Sequence, residues 1–157
     1  MPDTHPPRRT SVAAEIVGNT IVLRRSFAAP RREVFAAWTQ PEHVSLWWDP
    51  SGAQLKACNI DLRTGGSFSF VPSGESAHAF TGTYREIAPP ARLVFEAMGA
   101  IGSVLLDEAG DGTMMTVKIE CPSAQHLDHF LSLGVDVGTA RTLDNLVTHT
   151  LAMAAGN

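Results

Sequence analysis

Thr20-Ile-Val-Leu-Arg-Arg-Ser-Phe27, followed closely by Pro30-Arg-Arg-Glu-Val-Phe-Ala-Ala-Trp-Thr-Gln-Pro-Glu42, decides how this chain is to be read. The first segment is β-branched and alternating, which predicts a strand. Pro30 suits the first turn of a helix, where its missing N–H would be unpaired in any case. Val34, Phe35 and Trp38 give that short helix one apolar side. Thr39-Gln-Pro-Glu42 has the form of a capping box and predicts a second short helix, which must stop by Asp49-Pro50. One strand followed by two small helices in tandem is an informative layout.

Downstream the texture changes. From Gln54 to Cys121, strands alternate with turn chemistry. The expected strands are Leu55–Arg63, Ser67–Val71, His78–Ile87, Arg92–Met98, Ser103–Asp107 and Thr113–Cys121. Thr64-Gly-Gly66, Pro72-Ser-Gly74, Ala88-Pro-Pro90, Gly99/Gly102 and Ala109-Gly-Asp-Gly112 separate them. Links this short favour an antiparallel meander over parallel crossovers. Alternation such as Phe68/Phe70, Phe80/Gly82/Tyr84 and Met115/Val117/Ile119 describes a sheet with one buried face. Pro122-Ser123 then opens a helix expected to run to about Met153, roughly 45 Å at 1.5 Å per residue. Near its end Leu143, Leu146, Val147, Thr150 and Leu151 form an apolar stripe. The expected architecture is α+β: a strand, two short helices, six further antiparallel strands, and a long C-terminal helix across the concave sheet. A single helix does not fill such a concavity, so a hollow is expected beneath it.

Composition bounds the function. The 157 residues fit one domain, and 44% are hydrophobic, enough for a core. Residues 1–13 read as a disordered lead and 14–157 as the domain. The net charge of −4, with 12 scattered Lys and Arg, argues against a nucleic-acid partner. No apolar run approaches the ~20 residues of a membrane span, and the N-terminal segment lacks a signal-peptide core, so the expected location is cytoplasmic. Cys58 and Cys121 lack metal or redox spacing and are expected to be reduced and inert.

Phe27 to Glu42 resembles the opening motif of the activator of heat-shock-protein ATPase homologue family. That family is a branch of the START-like (SRPBCC, Bet v-like) superfamily. Trp47-Trp48-Asp49-Pro50, Ile60 to Phe70, Gly82 to Ile87, Pro90 to Phe95 and Gly138…Thr142 to Leu146 extend the resemblance, in order, from about residue 20 onward. It implies the helix-grip fold, in agreement with the layout read from the residues. For function it implies a small cytoplasmic domain binding an apolar or amphipathic molecule in its cavity. It brings no shared catalytic motif and no cofactor. The family often has Gly-Trp where this chain has Gly138-Thr139, which implies a missing bulky side chain in the pocket wall.

The candidate ligand-binding residues follow. Trp47 and Trp48 point about 100° apart on a helix, so one is expected to face the cavity. Phe68, Phe70, Phe80, Tyr84 and Phe95 would face inward from the sheet, as lining or as plain core. Counting back by sevens along the last helix, Leu146 leads to Thr139 and Ser132, with Val135 and Asp128 close to that meridian. A face apolar at one end and polar at the other suits a pocket. The alternative is a kink around Gly134 that turns Phe130, Leu131 and Leu133 inward. His126 and His129 stand at i, i+3, yet no donor cluster completes a metal site, and they read as surface histidines. No catalytic residue is singled out among Glu96, Asp128 and Tyr84. Two other functions stay open: an enzyme of the cyclase, dehydratase or hydrolase type in the same cavity, and a chaperone-directed interaction module. A homodimer is a candidate assembly.

Overall fold

In the computed structural model, which describes residues 8–11, 13–74 and 78–155, a single antiparallel sheet runs through the molecule. Its strands are β1 (Arg8–Thr10), β2 (Glu15–Val17), β3 (Thr20–Phe27), β4 (Ala57–Ile60), β5 (Ser67–Val71), β6 (Phe80–Ala88), β7 (Arg92–Ala97), β8 (Ala100–Ala109) and β9 (Gly112–Glu120). The spatial order is β1-β2-β3-β9-β8-β7-β6-β5-β4. All pairs are sequential hairpins except β3–β9, where Thr20 to Phe27 lies against Glu120 to Thr113 and joins the strand before the first helices to the last strand of the meander. Helices α1 (Arg31–Thr39), α2 (Pro41–Trp47), α3 (Ala124–Ser132) and α4 (Val135–Ala155) complete the helix-grip. Leu143 and Leu146 of α4 are 1% and 0% exposed, so this stretch of the helix is pressed into the core.

Four local expectations need correction. First, Arg8–Thr10 pairs with Glu15–Val17, so part of the stretch read as a disordered lead is an edge strand; residues 1–7 and 12 lie outside the described residues. The side chain of Ser11 accepts from Ala14 N at 3.0 Å and turns the chain between the two strands. Second, Thr39 does not cap α2. It ends α1, its hydroxyl donates to Phe35 O at 2.9 Å, and Gln40 is the residue before α2, with no side-chain cap. Third, β8 begins at Ala100 and carries Gly102 inside it, so Gly102 does not separate strands.

Fourth, the expected single helix is two. Ser123 caps α3 as its position suggests, with Oγ accepting from His126 N at 3.0 Å. The run then breaks at Leu133-Gly134, where Gly134 has φ +75°, a conformation glycine adopts without a Cβ penalty. The break turns Phe130 inward, at 4% exposure, and leaves Leu133 outside at 59%. At the far end Leu151 is also outside, at 55%, and leaves the expected stripe.

The two ends of the sheet are filled differently. Under α1 and α2, Trp38 and Trp47 meet edge to face with centroids 4.9 Å apart, and Trp47 Nε1 donates to Ala37 O at 2.9 Å. Phe68, Phe70 and Tyr84 close against one another from the sheet, with Phe68 centroids 5.0 and 5.1 Å from those of its neighbours. Toward α3 and the first turns of α4, the packing opens.

Candidate functional site

A cavity of about 270 Å³ lies between the sheet and the helices. On the sheet side it is lined by Phe80 of β6, Phe95 and Ala97 of β7, Ala100 and Gly102 of β8, and Val117 and Ile119 of β9. On the helix side stand Trp38, Trp48, Pro50, Phe130, Val135, Gly138, Thr139, Thr142 and Leu143, and Met98 contributes from the β7–β8 turn. None of these side chains is titratable.

The space exists because α4 is thin at its start. Gly138 has only Pro50 within 4 Å of where a Cβ would stand, and Thr139 is small. The next two turns, with Leu143 and Leu146, close the gap. Thr142 ties the helix to the rim by donating from Oγ1 to Trp48 O at 2.9 Å. Asn145 Nδ2 donates to Asp49 O at 3.0 Å, so the segment after α2 is held on α4 by two side chains. From the opposite side, Arg25 of β3 donates from Nε to Asp144 Oδ1 at 2.8 Å and from a terminal nitrogen to Ala140 O at 3.3 Å.

The floor is aromatic for a legible reason. Phe95 is the cross-strand partner of Gly102, and Phe68 of Gly82. A Cβ on Gly102 would stand 2.5 Å from Phe95 ring carbons, and one on Gly82 would collide with the Phe68 ring. In both places the missing side chain lets a ring lie down on the neighbouring strand. Trp48 stands over this floor with its centroid 4.9 Å from those of both Phe70 and Phe80.

Two of the polar side chains on the wall are already engaged. Trp38 Nε1 donates to Met115 Sδ at 3.3 Å, and the Thr142 hydroxyl is on Trp48 O. The Thr139 hydroxyl has no partner among the described residues. Behind the lining, burial pushes the Tyr84 phenol far up, with the nearby Cys58 adding to the effect. Burial also raises the Cys58 thiol, helped by Glu42 and opposed by a hydrogen bond from Ser45. Both groups are therefore neutral at physiological pH and make poor nucleophiles or bases there.

A family model described as "Activator of Hsp90 ATPase homolog 1-like protein" matches residues 28–150. The chain belongs to this family. Family membership agrees with the fold just described, which solved structures share. A protein from Nitrosomonas europaea superposes with a TM-score of 0.80 at 22% identity, over 89% of this chain and 99% of that one. An AHSA1-like protein from Aeromonas hydrophila gives 0.68 at 21%, covering 85% and 94%. CalU16 from Micromonospora echinospora gives 0.62 at 29%, covering 91% and 82%. No curated protein matches the chain.

Among the residues picked out from sequence, the cavity brings together Trp48, Phe80, Phe95, Val135 and Thr139. Trp47 is fully buried in the packed end and does not reach it. Phe68, Phe70 and Tyr84 form the layer behind the lining, around a void of only about 10 Å³. Asp128 and Ser132 are exposed and face away; the Ser132 hydroxyl donates to His129 O at 2.6 Å. Both were placed by extending the phase of α4 through a break that changes it. His126 is half-buried, not a fully exposed surface histidine: its ring packs on Phe130, centroids 4.5 Å apart, and Nε2 is buried with no hydrogen-bond partner among the described residues. Trp38, Met98 and Phe130 line the cavity without having been picked out as site residues; the kink alternative at Gly134 did point to Phe130.

Proposed function

We propose that this chain is a small cytoplasmic domain that binds an apolar or amphipathic small molecule between the sheet and α4, without catalysing a reaction on it. The observation that carries this reading is a cavity of about 270 Å³ whose lining, among the described residues, is mostly aromatic and aliphatic and holds no titratable group. An enzyme of the cyclase, dehydratase or hydrolase type would need polar groups with shifted ionisation converging on the cavity. The two described groups with such shifts nearest the floor, Tyr84 and Cys58, stand behind it and are neutral. No helix among the described residues is long and apolar enough to cross a membrane.

The test is native mass spectrometry of protein purified from its own organism, together with titration of an uncharged apolar dye. An adduct that is lost on denaturation, and saturable dye binding that competes with it, are the expected results. A bare-chain mass with no saturable dye binding would overturn the reading.

A further inference from the structure

The cavity's ligand can be narrowed by the chemistry of its floor. We infer, resting on the binding reading above, that the ligand is an uncharged planar ring compound of about two rings. Its one hydrogen-bonding oxygen meets the Thr139 hydroxyl. Three observations point this way.

The first is flatness. Because Gly102 has no Cβ, the Phe95 ring lies against β8 and leaves its other side to the cavity. Trp48 tilts over Phe80 with centroids 4.9 Å apart and planes inclined by 37°, so two further rings border the same cavity. Aromatic surfaces attract rings through offset and edge contacts that an alkyl chain does not make, and a rigid ring loses no rotamer freedom on binding. The second observation is size. A dry cavity of about 150 Å³ accepts one benzene. At about 270 Å³ this one has room for roughly two rings. The third is charge. Among the described residues no Lys, Arg or His lines the wall, so an anionic group carried inside would lose its water without gaining a counter-charge. The Thr139 hydroxyl can both donate and accept, which suits a phenol or a carbonyl.

Three probes of similar size separate these terms: 2-naphthol, 2-naphthoate and 1-decanol, each competed against the uncharged dye Nile red. The expected result is that 2-naphthol binds at least about tenfold more tightly than either of the others. Equal binding by 1-decanol or by 2-naphthoate would overturn the ring or the charge assignment while leaving the cavity reading in place. Failure of the dye and all three probes would overturn the binding reading and this inference with it. Phe95→Leu should weaken 2-naphthol and leave 1-decanol unchanged; equal loss for both would contradict the flat-floor argument. Thr139→Val should weaken 2-naphthol about fivefold or more while sparing naphthalene, and an unchanged 2-naphthol affinity would remove Thr139 from its assigned role.

Discussion

Trp47 and Trp48 are neighbours in sequence and live in different environments. Trp47 is 0% exposed, edge to face with Trp38 and hydrogen-bonded to Ala37 O, in the packed end of the domain. Trp48 stands at the rim of a cavity, held there because its carbonyl accepts from Thr142. Both ends of the sheet are rich in aromatic residues, so composition does not distinguish core from site. The distance of the covering helix does. Where α4 presents Leu143 and Leu146 the sheet is covered, and where it presents Gly138 and Thr139 a hollow remains.

Truncation of the two tryptophans sharpens this contrast most. Trp47→Ala should cost about 3–5 kcal/mol, as expected for a large side chain removed from a tight core. Trp48→Ala should cost clearly less and instead weaken binding of an apolar dye. Denaturant unfolding with dye titration measures both. Equal destabilisation by the two would erase the distinction between the ends.

A pH effect should come next. His43 Nδ1 and His149 Nε2 lie 2.9 Å apart between α2 and α4. Burial, and then the nearby His43, lower the His149 value below its usual 6.5. A depressed folded-state value means that the neutral form stabilises the fold above the unfolded value, and that this contribution is lost as pH falls through the lowered one. The Tm should therefore be level between about pH 7 and 8 and fall below about pH 6, and His149→Gln should flatten that fall. An unchanged slope in the variant would show that the pair does not couple the helices. Arg25→Ala gives a smaller effect, because the lost contacts to Asp144 and Ala140 lie on a partly exposed side chain. About 1 kcal/mol is expected, read as a shift in the urea midpoint.

Most of the fold is legible in the sequence because its signals are long. The alternating strands from Phe68 to Ile119 and the Pro30 helix start read directly. Signals that rest on one to three residues do not. Strands β1 and β2 span three residues each, too few for alternation to register. The break at Leu133-Gly134 depends on a single glycine, and it displaces Asp128 and Ser132 from the site because each residue turns a helix by about 100°. Thr139 and Val135 follow the break, so the phase of α4 holds for them and they line the cavity. Phe95 was visible as an inward ring, but that it lies flat comes from pairing with Gly102 on another strand, a register that no local pattern encodes.

The account's central claim is that the first turns of α4 face empty space, and Thr139→Trp tests it most directly. A tightly packed site would be overfilled by tryptophan at a cost of about 1–3 kcal/mol or more, whereas a cavity would accept it. The measurement is the Tm of the variant alongside its affinity for Nile red. The account predicts a Tm close to that of the wild type, with dye binding sharply weakened as the new side chain takes the ligand's place. A large fall in Tm with dye binding intact would contradict it and place Thr139 in close-packed core.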